Sequence, residues 1–377
     1  MSAAPADRYI GLMSGTSLDG VDGVLVDFAA CGDRAVRVLA HAHRPFDPAF
    51  ADELLALNTA GADELHRAAL AGNALAVVYA GVVGDLLARA GIAREAVRAI
   101  GAHGQTVRHR PREFDGIGYT LQLNSPALLA ERCGIDVVCD FRARDVAAGG
   151  QGAPLVPAFH RAVFGREGEA LAVLNIGGIS NLTGIAADGA TLGFDCGPGN
   201  ALMDHWCQRH TGRAYDDRGQ WAAGGRVLPA LLANLQSELY FDLPPPKSTG
   251  RDLFNPAWLQ ARLREAGSEP AQDVQATLAE LTAWACADAV CRHAADAHDV
   301  LVCGGGALND HLMARLAARL PGRRVRSTAD AGLGVSQVEA AAFAWLAKAF
   351  VERRPGNLVA VTGAAGPRVL GALYPAG

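Results

Sequence analysis

The most informative part of the chain is Tyr9-Ile-Gly-Leu-Met-Ser-Gly-Thr-Ser-Leu-Asp-Gly-Val-Asp22. The apolar run Tyr9–Met13 leads into a turn rich in glycines and hydroxyls, and a second β-rich run, Val21–Phe28, follows. Two such runs around a glycine turn predict a β-hairpin whose loop is unusually large and polar.

The residue types in this turn suit a bound polyphosphate. Glycines let the backbone approach a ligand and expose successive N–H groups to an anion. Thr16 and Ser17 add hydroxyl donors, and Asp19 and Asp22 could hold a hydrated Mg²⁺, which takes hard oxygen ligands. A plain hairpin turn uses the same residue types and is the better explanation for such a turn standing alone.

Composition indicates two domains and gives no electrostatic reason to expect nucleic acid or a membrane surface. The chain has 377 residues, more than one core usually serves, and half of them are hydrophobic. The 34 basic and 39 acidic residues give a net charge of -5. Only Lys247 and Lys348 are lysines, so arginine supplies the other basic side chains.

The sequence favours a cytoplasmic protein. Its N-terminus lacks a basic region followed by an apolar one, and no apolar run is expected to reach the roughly 18 residues of a membrane-spanning helix. The eight cysteines are scattered without a C-x-x-C pair, which favours reduced thiols.

The pattern of the first half begins again in the second. Leu171–Ile176 is predicted to be a strand that runs into Asn175-Ile-Gly-Gly-Ile-Ser-Asn181, at the position matching the opening turn. Each half is predicted to run strand, glycine turn, strand, strand, helices and strand, which is a duplication at the scale of a domain. The predicted N-terminal domain is 1–135 plus 350–377, and the predicted C-terminal domain is 136–349.

Hydrophobic periodicity predicts the remaining elements. The other predicted strands are Val36–His41, the end of Ala96–His103, Ile135–Cys139, Leu182–Ile185, Thr191–Asp195 and Val300–Cys303. The predicted helices are two within Ala51–Ala93, and Pro126–Cys133, Asn200–Arg209, Gln275–Ala297 and Val338–Val351.

A third glycine turn, Val302-Cys-Gly-Gly-Gly-Ala-Leu-Asn309, lies between a predicted strand and a predicted helix. Glycine turns before helices favour phosphate or a nucleotide. The chain contains no G-x-x-x-x-G-K-[ST], and no strand is followed by a G-x-G-x-x-G with a distant acid, so neither a P-loop nor a Rossmann site is expected. Three glycine turns, two of them at corresponding places, favour a nucleotide held between two domains.

Asp195 is the sharpest candidate for catalysis. It ends a predicted strand in Gly193-Phe-Asp-Cys-Gly-Pro-Gly-Asn200, just before a predicted helix. Ligands of open α/β sheets bind at such strand ends, and a carboxylate there can act as a general base. Capping the following helix is the structural alternative.

Two further polar regions could line a sugar site. The loops Asp140-Phe-Arg-Ala-Arg-Asp145 and Gly149-Gly-Gln-Gly-Ala-Pro154 are dense in hydrogen-bonding groups, though salt bridges in a domain connection would explain them too. His103 and Gln105 stand at the end of a predicted strand among glycines, which makes them candidates for a cleft. The chain has no H-E-x-x-H and no Cys/His cluster, so a structural zinc site is not expected.

Together these stretches resemble the anhydro-N-acetylmuramic acid kinases, within the superfamily of sugar kinases, heat-shock chaperone ATPases and actin. The resemblance rests on MSGTSLDGVD, GAHGQTVRH, DFRARDVAAGGQGAPLVPAFH, LNIGGISN, GFDCGPGNALMD, PKSTGRDLFN, VCGGGALN and EAAAFAWLA, in this order from Met13 to Ala347. It implies an α/β fold of two ribonuclease-H-like domains with an interdomain cleft. It also implies that ATP and Mg²⁺ drive opening of the 1,6-bridge of 1,6-anhydro-N-acetylmuramic acid and phosphorylation of O6, in peptidoglycan recycling.

The resemblance also implies roles for individual residues. Asp195 would be the base that takes a proton from the attacking water, and Asp19 would be the metal ligand. The residues implied to hold ATP are Gly15, Thr16, Ser17, Leu18, Asp19, Gly20, Val21, Asp22, Gly177, Gly178, Gly304, Gly305 and Gly306. The residues implied or suspected to face the sugar are His103, Gln105, Asp140, Gln151 and Glu339.

The sequence departs from the family pattern in two places. Leu121-Gln-Leu is followed by Asn124-Ser125 where the family commonly has a glycine, and Val338 replaces the usual methionine before Glu339. The first change bears on the sugar pocket, so a kinase for another amino sugar stays open. A chaperone-like or actin-like ATPase would want a client-binding domain or a polymer-forming surface. A serine hydrolase acting through Ser14 or Ser17 lacks the G-x-S-x-G motif. The expected partner is a small amino sugar, and a homodimer is left open.

Overall fold

The computed structural model describes residues 7–15, 17–29, 36–250, 253–266 and 269–377. Thr16, one of the residues implied to hold ATP, lies outside the described residues. The strands are β1 (Arg8–Met13), β2 (Gly20–Asp27), β3 (Arg37–Pro45), β4 (Ala99–Ala102), β5 (Gln105–Pro111), β6 (Gly118–Leu123), β7 (Val137–Cys139), β8 (Leu171–Ile176), β9 (Ile179–Ile185), β10 (Thr191–Pro198), β11 (Asp299–Cys303), β12 (Arg324–Ser327) and β13 (Ala372–Tyr374).

The α-helices are α1 (Pro48–Ala56), α2 (Glu64–Ala90), α3 (Pro126–Cys133), α4 (Ala143–Ala147), α5 (Val156–Phe164), α6 (Ala201–Thr211), α7 (Gln220–Ala223), α8 (Pro229–Gln236), α9 (Pro256–Ala266), α10 (Ala271–His293), α11 (Asp310–Arg319), α12 (Val338–Val351) and α13 (Val359–Thr362). Short 3-10 turns, among them Leu239–Asp242 and Gly305–Leu308, complete the described elements.

The chain divides into two compact units, each with its own hydrophobic core. Unit 1 comprises 1–163 and 336–377, and unit 2 comprises 164–335. The sequence predicted 1–135 plus 350–377 and 136–349 instead. The boundaries differ because β7 pairs with β4 in the sheet of unit 1 and because α12 packs on β1 and β4 of the same sheet.

Unit 1 contains a six-stranded mixed sheet in the order β13-β7-β4-β1-β2-β3. β1 pairs antiparallel with β2, and β2 pairs antiparallel with β3. On the other side, β1 pairs parallel with β4, and β4 pairs parallel with β7. The opening stretch therefore forms the predicted hairpin, at the centre of this sheet.

Unit 2 contains a five-stranded mixed sheet in the order β10-β9-β8-β11-β12. β8 and β9, and then β9 and β10, pair antiparallel, whereas β11 pairs parallel with both β8 and β12. In each unit the first strand lies between an antiparallel hairpin and a parallel pair. This shared order is that of a ribonuclease-H-like sheet, so the predicted fold class is confirmed for each unit.

Small residues allow α12 to lie directly on the sheet of unit 1. A Cβ atom added to Gly11 would clash with the carbonyl oxygen of Ala340, and one added to Gly101 would clash with that of Phe343. The helix contributes a run of alanines to this contact, and most of its residues are buried. The close approach of helix and strands requires glycine at both positions on the sheet.

The expectation of no apolar run of membrane-spanning length needs correction. In the described part of the chain, α2 is long and apolar enough to cross a membrane, with a mean hydropathy of 1.6 over 18 residues. Core helices can have the same length and composition. Leu75, Tyr79, Val82 and Leu86 on one face of α2 are fully buried in the core of unit 1.

Several elements of the fold were not predicted from the sequence. The largest omission is the hairpin of β5 and β6, a separate two-stranded sheet in unit 1. The short strands β12 and β13 at the sheet edges, and helices α4, α5, α8 and α9, were not predicted either.

Candidate active site

Buried side chains hold the start of the opening turn from beneath. Ser14 is 1% exposed, and its hydroxyl donates to the carbonyl oxygen of Gly104 at 3.1 Å and lies 3.2 Å from the hydroxyl of Tyr79. Gln105 is equally buried, and its Nε2 donates to the carbonyl oxygen of Gly15 at 3.2 Å. The Gly104-Gln105 segment after β4 therefore fixes the turn that follows the neighbouring strand β1.

The tip of the turn presents exposed polar groups. The Ser17 hydroxyl donates to Oδ1 of Asp19 at 2.6 Å, and both residues are exposed. Leu18 adopts a φ of 58°, and its N–H donates to the carbonyl oxygen of Gly15 at 3.3 Å. This turn thus keeps an exposed carboxylate next to a hydroxyl and a glycine.

Asp22 has a different environment from Asp19. It lies on β2, and its Oδ1 is 3.0 Å from Nε2 of His41 and 3.3 Å from Nδ1 of His43, both on β3. Gly20 and Val21 are buried in the same strand. These three implied ATP ligands therefore belong to the pairing of β2 with β3, and only the preceding turn is exposed.

His103 is buried and acts as a hydrogen-bond acceptor. Arg142 donates to its Nε2 from Nε at 3.1 Å and from Nη2 at 3.0 Å. Burial, together with the nearby Arg142 guanidinium, lowers the pKa of His103 to about 3. Burial also lowers the pKa of Arg142 to about 10, which still leaves the guanidinium charged at neutral pH. Neutral His103 therefore orients the Arg142 guanidinium, which was not among the site residues predicted from the sequence.

The loop that carries Gln151 is tied down through its backbone. Buried Asp145 accepts hydrogen bonds from the Gly152 N–H at 2.8 Å, from Asn357 Nδ2 at 2.7 Å and from the Thr362 hydroxyl at 2.7 Å. The Gln151 N–H donates to the carbonyl oxygen of Thr362 at 2.8 Å. The C-terminal segment of the chain therefore fixes the position of this loop.

Asp140 and Glu339 are carboxylates whose pKa values lie above the ordinary range. Asp140 follows β7 with a φ of 56° and is exposed, and partial desolvation raises its pKa. Glu339, in the first turn of α12, has its pKa raised by burial and by the negative charges of Asp22 and Asp19, while Arg142 opposes the shift. Glu339 therefore lies within electrostatic reach of Asp19, Asp22 and Arg142.

In unit 2, the second and third glycine turns meet at the same sheet edge. β8 and β11 are parallel neighbours, so their following turns leave the sheet side by side. A Cβ atom on Gly304 would lie 2.5 Å from Oδ1 of Asn175 and 2.7 Å from the carbonyl oxygen of Ile176. Gly304 has a φ of 77° and a ψ of 178°, a region that is nearly restricted to glycine. The sequence placed these turns correctly, and their close contact explains the need for glycine.

Asn200 joins the second turn to the start of α6. Its N–H donates to the carbonyl oxygen of Gly177 at 2.7 Å, and its Nδ2 donates to that of Ile176 at 3.2 Å. The Gly199 N–H donates to the carbonyl oxygen of Gly178 at 3.0 Å. The segment after Asp195 is therefore fastened to the second glycine turn, a role that the sequence did not reveal.

Asp195 lies on β10 at a register shift between Asp195 and Gly197. Its Oδ2 accepts the Thr249 N–H at 3.0 Å, its own N–H donates to the carbonyl oxygen of Lys247 at 3.3 Å, and the Tyr240 hydroxyl donates to its carbonyl oxygen at 2.7 Å. Burial raises the pKa of Asp195 to about 6, against the opposing effect of the Thr249 N–H. Asp195 is thus a partly buried carboxylate that changes charge close to neutral pH.

The residues around Asp195 come from a segment whose contacts with Asp195 were not predicted from the sequence. Tyr240, Lys247 and Thr249 lie in or just after the 3-10 turn Leu239–Asp242. The string PKSTGRDLFN, which belongs to the family resemblance, was the available signal. Its Arg251 and Asp252 lie outside the described residues.

A single exposed carboxylate in the opening turn fits a magnesium ion that is held mainly by phosphate oxygens and water. Asp19 is exposed, and its Oδ1 accepts the Ser17 hydroxyl at 2.6 Å. Within the described residues, no group of three or more His, Cys, Asp or Glu side chains could hold a metal. Magnesium in phosphoryl-transfer sites needs only one or two carboxylates, so this arrangement is compatible with it.

Comparisons with known proteins show the family of the chain. A family model described as anhydro-N-acetylmuramic acid kinase matches residues 7–376. The anhydro-N-acetylmuramic acid kinase of Variovorax paradoxus (strain S110) is 65% identical over 376 residues, which cover 98% of this chain and 99% of that protein. The anhydro-N-acetylmuramic acid kinase of Cupriavidus pinatubonensis (strain JMP 134 / LMG 1197) is 60% identical, with 99% of each chain covered.

Among solved structures, the activator of the 2-hydroxyisocaproyl-CoA dehydratase from Clostridium difficile, with bound ADPNP, covers 92% of this chain and 96% of its own. Its TM-score of 0.47 and 10% identity are too low to bear on function. The family model and the relatives are decisive, because both extend over nearly the whole sequence. The chain belongs to the anhydro-N-acetylmuramic acid kinase family.

Proposed function

We propose that this protein converts 1,6-anhydro-N-acetylmuramic acid, water and ATP to N-acetylmuramic acid 6-phosphate and ADP. The reaction opens the internal 1,6-bridge by adding water and places a phosphoryl group on the released O6. It returns a product of peptidoglycan turnover to metabolism. The observation that carries the mechanism is Asp195, a carboxylate with a pKa of about 6 beside the glycine turns of unit 2.

Asp195 is proposed as the general base. Above pH 6 its carboxylate is charged and can accept a proton from a water molecule that attacks the anomeric carbon. As the water adds, the bond between C1 and O6 breaks, and O6 attacks the γ-phosphorus of ATP. ADP leaves, and the proton taken by Asp195 is released to solvent. A base with a pKa near the working pH combines a large charged fraction with useful basicity.

The glycine turns are proposed to hold ATP through their backbone N–H groups. The opening turn, with Gly15, Ser17 and Leu18, supplies one cradle. The other cradle is supplied by Gly177, Gly178 and Gly304–Gly306. The proposed ATP site also includes Thr16 of the opening turn and Gly20, Val21 and Asp22 at the start of β2. Catalysis of phosphoryl transfer depends mostly on such positioning and on charge stabilisation.

Asp19 is proposed as the protein ligand of Mg²⁺. When bound, this ion would neutralise charge on the β- and γ-phosphates. Asp19 can bind the ion because its carboxylate is exposed and is oriented by the Ser17 hydroxyl.

For the sugar, we propose contacts with Asp140, Gln151 and Glu339. His103 and Gln105 were suspected of the same role. His103 accepts a hydrogen bond from Arg142, and Gln105 donates one to Gly15. These bonds favour a role in positioning Arg142 and Gly15 over direct contact with the sugar. The cytoplasm, where ATP is abundant, is the proposed location.

One assay tests the function. The purified protein is mixed with Mg-ATP and 1,6-anhydro-N-acetylmuramic acid, ADP is followed, and the sugar is weighed by mass spectrometry. We expect a product that has gained one water and one phosphoryl group, with one ADP formed for each. In water enriched in oxygen-18, the phosphoryl group should carry no label, because water adds to the sugar carbon.

Other results would redirect the proposal. ADP formation only with a different amino sugar would keep the kinase and change its substrate. Slow release of labelled inorganic phosphate with every sugar would overturn the kinase in favour of an ATPase.

A further inference from the structure

A segment from unit 2 covers Asp195. We call residues 239–250 the strap. It contacts Asp195 through the Tyr240 hydroxyl, the Lys247 carbonyl oxygen and the Thr249 N–H, at 2.7, 3.3 and 3.0 Å. The contacts engage the backbone N–H, the backbone carbonyl and one carboxylate oxygen of Asp195. A segment that makes three such contacts can control how much water reaches the carboxylate.

Lys247 closes the strap on itself. Its Nζ donates to the carbonyl oxygen of Tyr240 at 3.1 Å and to that of Phe241 at 3.2 Å. The same ammonium lies 4.6 Å from the centre of the Tyr240 ring, within the range of a cation–π interaction. These contacts connect the beginning of the strap to the part that donates to Asp195. The ammonium is therefore directed into the strap.

The charge of Lys247 does not set the pKa of Asp195 directly. That pKa is raised by burial and lowered by the Thr249 N–H. The pKa of Lys247 is lowered by burial and responds to Cys196, Arg292, Asp288 and Asp242. The titratable groups near Asp195 and the strap are Tyr240, Asp242 and Lys247 on the strap, Cys196 on β10, and Cys286, Asp288, Arg292 and His293 on α10. An effect of Lys247 on Asp195 must therefore pass through the fold of the strap.

We propose that Lys247 is a positioning residue whose ammonium holds the strap over Asp195 and so keeps water away from the carboxylate. The strap then maintains the basicity of Asp195. This inference rests on the proposed role of Asp195 as general base. Burial raises the pKa of Asp195 more than the Thr249 N–H lowers it. Uncovering the carboxylate should therefore lower this pKa even if the Thr249 hydrogen bond is lost as well.

The first measurement follows the strap without using catalysis. Hydrogen–deuterium exchange of peptides that span 239–250 is compared in the wild type and in Lys247→Met, which keeps much of the side-chain length without the charge. We expect exchange in the strap to accelerate several-fold in Lys247→Met, while the rest of unit 2 is unchanged. Lys247→Arg should remain close to the wild type, because a guanidinium can still donate to both carbonyl oxygens.

The chain offers a matched control in its only other lysine. Lys348 lies in unit 1, where it pairs with Asp7 and Glu352. Lys348→Met removes the same charge from another place and should leave exchange in the strap unchanged.

The second measurement is the pH profile of kcat with the anhydro sugar and ATP. In the wild type, kcat should rise with pH through about 6 as Asp195 loses its proton. In Lys247→Met, the midpoint should move to lower pH by about one unit as water reaches the carboxylate. The plateau should fall, but by less than the roughly 10²–10⁴-fold contribution of a general base. Tyr240→Phe, which keeps the ring and both carbonyl oxygens, should shift the midpoint in the same direction but less.

The two measurements separate the possible failures. Unchanged exchange in Lys247→Met, or faster exchange with an unmoved midpoint, would each overturn the role of Lys247. If Lys247→Met fails to fold, an unmoved midpoint and unchanged exchange in Tyr240→Phe, which lacks the hydroxyl bond from the strap to Asp195, would overturn the control of Asp195 by the strap, on which the role of Lys247 depends. Full activity of Asp195→Asn would remove Asp195 as the base, whatever the exchange of the strap shows.

Discussion

Arg142 donates two hydrogen bonds to a single ring nitrogen of His103, from Nε at 3.1 Å and from Nη2 at 3.0 Å. The guanidinium has only donors, so Nε2 of His103 must be the acceptor and the ring must be neutral. The His103 ring also packs 4.6 Å from that of Phe343 on α12. The histidine suspected of binding substrate thus links the end of β4, the Arg142 loop and α12 within unit 1.

The buried histidines of unit 1 predict a loss of stability in mild acid. Burial lowers the pKa of His103 and His160 to about 3 and that of His109 to about 4, from an ordinary value of 6.5. Below pH 6.5 the unfolded chain takes up protons at these positions and the folded chain does not, so acid favours unfolding. Between pH 6.5 and 5 each should cost about 1–2 kcal/mol.

Urea unfolding at several pH values checks this prediction. His103→Asn removes one titrating group, so its stability should fall less steeply with acid than that of the wild type. His66→Asn, at an exposed position of α2, serves as the control and should keep the wild-type slope. Equal slopes for His103→Asn and the wild type would contradict the low pKa of His103.

Gly304→Ala should damage the third glycine turn. Its φ of 77° and ψ of 178° strain any other residue, and the added Cβ would lie 2.5 Å from Oδ1 of Asn175. We expect a loss of about 1–3 kcal/mol in unfolding free energy and a higher KM for ATP. Gly322→Ala is the control, since Gly322 has a φ of 80° and no neighbouring atom within 4 Å of an added Cβ. If KM for ATP rises in both variants or in neither, the third glycine turn has no specific role in binding the nucleotide.

Much of the fold could be predicted because its decisive patterns are local. Leu171–Ile176, Pro126–Cys133 and Val338–Val351 have the predicted bounds, since each combines a clear hydrophobic pattern with flanking turn residues. The β5–β6 hairpin was not predicted because β5 mixes glutamine, arginine and histidine with a single aliphatic residue, Val107, and so shows no hydrophobic pattern. The domain boundaries differ because they depend on which sheet β7 and α12 join, and no local pattern encodes that choice.

The same limit applies to the site. The glycine turns and Asp195 could be proposed as site residues because their residue types are rare in regular strands. Thr249 contributes only a backbone N–H to Asp195, and any residue except proline has one. Arg142 acts through His103, 39 residues away, and Lys247 bonds to carbonyl oxygens seven and six residues before it in an irregular segment, so neither role follows from a regular sequence pattern.

Ser14→Ala tests whether the first serine of the opening turn is structural. The Ser14 hydroxyl is buried between Gly104 and Tyr79, so its removal leaves a buried carbonyl oxygen without this donor. We expect a loss of about 1–3 kcal/mol in unfolding free energy, with the same products formed. Ser17→Ala, at an exposed position, should cost less stability but should weaken ATP-dependent turnover, because Ser17 orients Asp19. A stable but inactive Ser14→Ala protein would instead support a chemical role for Ser14.

Asp195→Asn should separate catalysis from stability. The amide oxygen can still accept the Thr249 N–H, so the fold should be retained. Without a base, kcat should fall by roughly 10²–10⁴-fold, while KM for ATP changes little. Mass spectrometry of the residual product would show whether ring opening and phosphorylation remain coupled.

The same variant should be more stable than the wild type at alkaline pH. The pKa of Asp195 is raised to about 6 in the folded chain, so its favourable contribution exists at low pH and is lost as pH rises through about 6. At pH 8 the wild type therefore keeps a charged carboxylate in a poorly hydrated place, and asparagine removes that cost. We expect a gain of about 1–3 kcal/mol at pH 8 and little gain near pH 4. Urea unfolding of both proteins at the two pH values measures it, and a variant less stable at pH 8 would mean that the carboxylate is needed by the fold itself.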